Sequence, residues 1–251
     1  MSKHAGTWAA IPAQGYLLEY QADPLDSQSH SAGNSPSAGG VHVFCGRNAF
    51  PGAICPNCKI PLTLMLTLDT RDELLELPDL ELGQIPLLYC WRCAIPAGLL
   101  RYKIRASGGV DVTEYAEGAP EPGDPYDDYP QSFPSAVARL VPLSSHQQAV
   151  LQQWNRSEIR ISDFRRMAPE VFDCRHQVGG QPFLIQRGGD EYFTESFVVC
   201  PMCDAVMPFL AAIANDCLDP RGFVGEDASG TQTLFHFCRG CCEILAFSET
   251  D

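Results

Sequence analysis

The residues most able to do chemistry are cysteines, of which this 251-residue chain has twelve. Eight of them form four pairs with two residues between the partners: Cys55/Cys58, Cys90/Cys93, Cys200/Cys203 and Cys238/Cys241. A C-x2-C turn places two thiolates on the same side of the backbone, and two such turns supply the four soft ligands of a tetrahedral zinc site. The spacing therefore predicts two structural zinc ions, each held by four cysteines.

Two ambiguities remain among the other cysteines. Cys242 adjoins Cys241 and is an alternative fourth ligand. Cys174 and His176 form either a ligand pair, a Cys/His nucleophile or a purely structural pair, although a nucleophile needs a base within reach. All-cysteine zinc sites leave no open position for water or substrate. Since the chain also lacks H-E-x-x-H, G-x-S-x-G and phosphate-loop motifs, we expect no enzyme activity.

The surroundings of the cysteine pairs are repeated. A double glycine precedes each half's first pair, at 39–40 and 179–180, and an apolar run follows it. The two pairs in each half are separated by 31 and 34 residues, which predicts inserted loops at 70–83 and 218–230. We therefore expect a mainly β protein of α+β type, built from duplicated, pseudo-symmetric β-rich halves that each carry one zinc-knuckle site.

Short apolar or alternating segments bounded by Gly, Pro or Asp predict the strands. They lie at 61–69, 86–91, 99–105, 183–186, 231–237 and 243–249. Helices are predicted at 144–160, with Ser144 or Ser145 as N-cap, and at 162–168. The chain then divides into an N-terminal zinc-knuckle half at 1–107, a loop and helical connection at 108–170, and a C-terminal zinc-knuckle half at 171–251.

Composition restricts the partners. Residues 21–40 and 108–135 are polar or acidic and rich in Gly and Pro, which predicts loops. Thirty-one acidic residues against 17 basic ones give a formal net charge of −14. That charge disfavours nucleic acids and anionic membranes and favours a basic protein partner. The start lacks a leader pattern and no apolar run is long enough to span a membrane, so we expect a cytoplasmic protein.

Three segments also carry a resemblance to known proteins. They are HQVGGQPFLIQ at 176–186, CPNCKIPLTLMLTLD at 55–69 and LLYCWRC at 87–93. In these motifs and their order the chain resembles the YwqG-like bacterial zinc-binding proteins and the related eukaryotic programmed-cell-death-protein-2 family. The resemblance implies a duplicated β-rich fold with the eight paired cysteines as metal ligands. It also implies a binding or chaperone role, because the eukaryotic relatives escort a ribosomal protein and bacterial relatives are suspected in toxin immunity.

Three functions fit these observations to different degrees. A zinc-stabilised module that chaperones or neutralises a basic protein, either a ribosomal protein or a toxin, agrees with the charge and the cysteines. A nucleic-acid-binding zinc ribbon is disfavoured, since basic clusters occur only at 101–105 and 160–166 and are short. A thiol-disulfide enzyme ordinarily needs one exposed active pair, whereas four pairs fit metal ligation better.

Overall fold

The computed structural model describes residues 9–20, 40–77, 80–94, 99–115, 131–174, 176–185, 198–214 and 231–250. Within these ranges the protein is mainly β. Its strands are β1 (Tyr16–Tyr20), β2 (His42–Phe44), β3 (Thr63–Asp69), β4 (Gln84–Tyr89), β5 (Leu100–Ile104), β6 (Val110–Tyr115), β7 (Ala136–Pro142), β8 (Gln177–Val178), β9 (Phe209–Ala214), β10 (Thr231–Cys238) and β11 (Glu243–Thr250). The helices are α1 (Trp91–Ala94), α2 (Ser145–Asn155), α3 (Ile161–Met167) and α4 (Pro169–Cys174).

All eleven strands form one antiparallel sheet in the order β4-β3-β2-β7-β1-β8-β9-β10-β11-β5-β6. The duplication is visible in this order, because β2-β3-β4 and β8-β9-β10 leave the centre of the sheet in opposite directions. We call these the first and second halves. The predicted mainly β fold with two similar halves is confirmed.

The two halves exchange their leading strands. β1 precedes the first half in the chain but pairs with β8 of the second, where Tyr16 lies opposite Val178. β7 precedes the second half but pairs with β2 of the first, where Val137 lies opposite Val43. β1 and β7 also pair with each other, with Leu18 opposite Leu140, and this contact joins the halves. The sheet thus connects strands from all three segments predicted at 1–107, 108–170 and 171–251, and that division itself stays a prediction.

A third strand, β5, crosses between the halves after the second cysteine pair, Cys90/Cys93. β5 does not return beside β4; it pairs with β11, at the opposite end of the strand order. The sheet curls so that these ends meet. The Tyr102 hydroxyl of β5 accepts a hydrogen bond from the Leu88 amide of β4 and donates one to the Pro86 carbonyl, both at 2.9 Å. A buried side chain thus satisfies backbone groups on the outer side of β4 that would otherwise need another strand.

The helices between the halves pack on a separate apolar cluster. Ser144 caps α2 by accepting from the Gln147 amide, and the Gln147 side chain accepts from the Ser144 amide in return. Trp154 of α2 stacks on Phe183, with ring centroids 5.3 Å apart and an interplanar angle of 11°, and Phe164 of α3 completes the group. The predictions of α2 and α3 are confirmed, whereas α4 was not predicted.

Two local predictions are wrong. The first is the strand at 183–186, since the described part of this segment is irregular although Phe183 and Leu184 are buried. Side chains satisfy its backbone instead: Trp154 Nε1 donates to the Leu184 carbonyl at 2.8 Å, and Gln232 Nε2 donates to the Phe183 carbonyl at 2.7 Å. Apolar composition therefore reflected burial rather than strand pairing.

The second error is the loop at 108–135, where 110–115 form β6 and pair with β5. The alternation of Val110 and Val112 with polar residues is a strand pattern that the composition of the longer acidic segment obscured. The loop predicted at 21–40 and the insertion at 218–230 lie outside the described residues, apart from residue 40. No helix among the described residues is long and apolar enough to cross a membrane.

The closure of the sheet generates a stability prediction. In Tyr102→Phe the Leu88 amide and Pro86 carbonyl lose their shared partner in a buried position, so we expect a loss of about 1 to 3 kcal/mol in the free energy of unfolding. Tyr89→Phe is the matched control, because the Tyr89 hydroxyl is also buried but donates to the movable hydroxyl of Ser248, at 3.2 Å, and does not bridge two backbone groups of β4. Denaturant titrations of both variants measure the difference, and an equal or larger loss in Tyr89→Phe would contradict the closing role of Tyr102.

Candidate metal centres

The eight paired cysteines come together in two groups of four. We call Cys55, Cys58, Cys90 and Cys93 the first centre, and Cys200, Cys203, Cys238 and Cys241 the second centre. Within each centre all Sγ atoms lie within 4.8 Å of one another. The Cys58–Cys90 and Cys203–Cys238 Sγ distances are 3.8 and 3.6 Å. A metal–sulfur bond of about 2.3 Å in a tetrahedron gives a sulfur–sulfur distance of about 3.8 Å, so both groups fit one ion each.

The first turn of each centre has the same backbone geometry. The Cys55 amide donates to the Ile60 carbonyl and the Cys200 amide to the Ala205 carbonyl, both at 2.9 Å. The residue after the second cysteine, Lys59 or Asp204, has φ of 62° or 55°. This left-handed residue reverses the chain, so that Ile54 pairs with Pro61 and Val199 with Val206. The repeated turn directs two thiols toward one point, as the C-x2-C spacing predicts.

The second turns differ between the centres. Cys238 and Cys241 occupy the tight turn that joins β10 to β11, and Cys242 there has φ of 54°. In the first centre Cys90 follows β4 and Cys93 lies in α1, after which the chain leaves for β5. Because β5 crosses to pair with β11 and does not return beside β4, the second turn of the first centre is helical, whereas that of the second centre is a hairpin.

A histidine marks the start of each half. The Asp69 amide at the end of β3 donates to His42 Nδ1, and the Ala214 amide at the end of β9 donates to His176 Nδ1, both at 3.1 Å. Both rings are fully buried. Two consecutive left-handed residues follow at the same spacing, Cys45–Gly46 and Gly179–Gly180. The glycines at 39–40 are thus not the equivalents of those at 179–180; the signal that sequence reasoning missed is the spacing H-x2-[C/G]-G.

Hydrogen bonds within the centres distribute protons unequally among the thiols. The hydrogen bond from Cys90 lowers the pKa of Cys55 to about 5, and the same bond, together with burial, raises the pKa of Cys90. In the second centre a backbone hydrogen bond from Ala205 lowers the pKa of Cys203, while burial raises that of Cys238. Metal binding displaces thiol protons, and each centre contains one thiol whose pKa is lowered by its neighbours.

The second centre also contacts a buried carboxyl group, that of Glu243. The Cys200 thiol donates to Glu243 Oε2 at 3.7 Å, and Thr113 of β6 donates to Glu243 Oε1 at 3.4 Å. Arg101 of β5 donates to the Val199 carbonyl at 3.2 Å and pairs with Glu114 at 2.7 Å. The β5–β6 hairpin therefore supports the turn that carries Cys200.

Among the described side chains, no other cysteine or histidine joins a centre. Cys242 Sγ donates to the Arg239 carbonyl at 3.8 Å, and Cys241 is the member of the second centre. His176 Nδ1 accepts a hydrogen bond from the Ala214 amide. The side chain of Cys174 and all of Cys217 are outside the described residues. His236 is a core residue whose Nδ1 lies 3.0 Å from the Met207 carbonyl, and burial lowers its pKa to about 4.

The loop between β3 and β4 forms one wall of an open cleft of about 800 Å³. Its rim includes the exposed carboxylates of Glu73, Glu76 and Glu81, and Leu77 and Leu82 lie deeper. Arg239, from the second turn of the second centre, lines the opposite side. Asp69 fixes the start of the loop: its carboxylate accepts from Arg71 Nη2 at 2.8 Å, and hydrogen bonds from Arg71 lower the Asp69 pKa to about 2.

Comparison with known proteins gives no identification: no family model, curated protein or solved structure matches the chain. The likeness to the YwqG-like and programmed-cell-death-protein-2 families therefore stays a prediction from the motifs. The two four-cysteine centres stand on their own geometry.

The two centres generate a prediction about metal content. We expect protein purified without added metal to hold two ions per chain by elemental mass spectrometry. Cys55→Ser combined with Cys90→Ser should remove only the first ion, and Cys200→Ser combined with Cys238→Ser only the second, because no thiol is shared between the centres.

Adjacent thiols supply the matched control. Cys241→Ser should lower the affinity of the second centre for its ion by roughly tenfold or more in a chelator competition, since it removes a ligand. Cys242→Ser should leave the occupancy unchanged. If Cys242→Ser lowers the affinity and Cys241→Ser does not, the fourth ligand is Cys242. An absence of bound metal in the parent would refute both centres.

Proposed function

We propose that the chain is a non-enzymatic, zinc-stabilised protein-binding module that chaperones or neutralises a basic protein client. Zinc is the ion we assign to both centres, because a tetrahedral set of four thiolates suits it and leaves no coordination position for a substrate. Its role is then to hold the turns and strand ends. We also place the protein in the cytoplasm, where thiols remain reduced; the ten cysteines whose side chains are described are free of disulfides.

The observation that carries the proposal is the acidic cleft beside the 70–83 loop. In its lining four acidic residues outnumber the two arginines, Arg71 and Arg239, beside apolar side chains, and the chain as a whole has a net charge of −14. A basic segment with interspersed apolar residues complements such a surface, and opposite charge both accelerates encounter and selects against anionic partners. An acidic binder also covers the positive charge with which its client would otherwise contact nucleic acid.

The resemblance to the programmed-cell-death-protein-2 family narrows the client to a ribosomal protein, and the resemblance to YwqG-like proteins adds a basic toxin as the alternative. The two alternatives make the same demand on the surface, which is recognition of a positively charged protein.

A titration with purified ribosomal proteins, each tested singly, examines the proposal. We expect one of them to bind with a defined stoichiometry and to dissociate more readily as the salt concentration rises from about 50 to about 500 mM, because salt screens exposed charges. The triple variant Glu73→Lys, Glu76→Lys and Glu81→Lys should bind the client about tenfold more weakly, or worse.

The matched control is the triple variant Asp111→Lys, Glu158→Lys and Glu170→Lys. These exposed residues lie away from the cleft, and their substitution gives the same change in net charge. An equal loss in both triple variants would assign binding to overall charge rather than to the cleft. Preferential binding of single-stranded RNA would replace the proposal with a nucleic-acid function, and catalysed thiol exchange would replace it with an enzyme.

A further inference from the structure

The two metal centres differ in how far their sulfur ligands are exposed. In the first centre Cys55, Cys90 and Cys93 are buried and Cys58 is half-buried. In the second centre Cys203 is exposed and Cys241 is half-buried. An oxidant in solution therefore meets a thiolate of the second centre directly, whereas the first centre presents only the partly covered Cys58.

The backbone around the two first turns differs as well. β6 packs against the segment that leads into the first turn of the first centre: the Val110 amide donates to the Pro51 carbonyl at 2.8 Å, and a Cβ at Gly52 would lie 2.3 Å from the Val110 carbonyl oxygen. Within that turn residues 56–58 are half-buried, whereas in the corresponding turn of the second centre residues 201–206 are all exposed, with Met202 at 67 % and Val206 at 53 %.

We propose that the second centre is a peroxide-reactive modification site, in which Cys203 is oxidised first and forms a disulfide with Cys238. The inference rests on metal occupancy as proposed above, but not on the client. Cys203 and Cys238 are the pair to join because their Sγ atoms are already 3.6 Å apart. A disulfide needs about 2.05 Å, so the sulfur atoms must approach by roughly 1.5 Å.

The chemistry balances with hydrogen peroxide as the oxidant. The Cys203 thiolate attacks one peroxide oxygen, the O–O bond breaks, and a sulfenic acid forms while the departing hydroxide takes up a proton. The Cys238 thiolate then attacks the Cys203 sulfur, and the sulfenic oxygen leaves as water after taking up a second proton. Two thiolates thus supply two electrons, one peroxide becomes two waters, and the centre keeps only two of its four thiolate ligands.

Loss of two ligands ends tetrahedral coordination at the second centre alone. The first centre, whose ligands come from separate turns, retains its four thiolates. Oxidation should therefore convert a protein with two ions into one with a single ion, rather than strip both.

The experiment treats the full-length metal-loaded protein with hydrogen peroxide and follows ion release with a chromophoric chelator. We expect one ion per chain to appear at least about tenfold faster than the other. Differential alkylation and peptide mass spectrometry of the same samples should identify Cys203 as the first oxidised ligand and a Cys203–Cys238 disulfide as the product. A thiol reductant followed by added metal should restore the second ion.

The measurement on the parent chain needs no variant that risks losing its metal. Equal release rates, earlier loss of the first centre or a first disulfide other than Cys203–Cys238 would overturn the inference. Cys242→Ser serves as a matched control, because a neighbouring thiol outside the centre should leave the rate unchanged. Two ions that leave together would refute only this inference, whereas a parent chain without metal would refute the zinc assignment itself.

Discussion

Tetrahedral gathering of four sulfur atoms is the constraint on which the rest of the structure depends. Each centre joins two turns that are more than thirty residues apart in the chain, and closing such a loop costs conformational entropy that the turns' own hydrogen bonds do not recover. Metal–thiolate bonding is strong enough to offset that cost. In each half a bound metal would also fix the start of one strand, β3 or β9, and the end of the next, β4 or β10.

Strand exchange then couples the centres mechanically. β5 leaves the first centre, pairs with β11 just after the second, and through Arg101 contacts the carbonyl next to Cys200. β6 returns from that point and its Val110 amide donates to the Pro51 carbonyl, just before the turn that carries Cys55. The same hairpin thus contacts the segments that carry both centres. Arg239 extends the connection to the acidic cleft, because it belongs to the second centre's turn and lines the cleft wall.

Much of this arrangement is readable in the sequence. The C-x2-C spacing identifies all eight clustered thiols, and apolar segments bounded by turn residues identify β3, β4, β5, β10 and β11. Local patterns do not reveal partners, however. Nothing in Tyr102 indicates that its hydroxyl caps a strand edge, and the buried Phe183 resembles a strand residue although side chains satisfy its backbone. The equivalence of His42 and His176 could not be recognised from the sequence, because Cys45 adopts a left-handed conformation in which glycine is the expected residue. Exchange of β1 and β7 is a non-local choice that neither strand's composition encodes.

The exchanged strands also impose an order on biosynthesis. A ribosome delivers the chain from its N-terminus, yet both neighbours of β1 come after residue 135 and the inner neighbour of β5 begins at Glu243. The turns of the first centre can come together early, since Cys55 to Cys93 emerge together, but the strands around them must wait with unpaired edges for partners made much later. Long-range pairing of this kind is slow and exposes the nascent chain to aggregation. Early metal capture would then serve as a temporary scaffold, holding the first half in a compact form until translation has supplied the rest of its sheet.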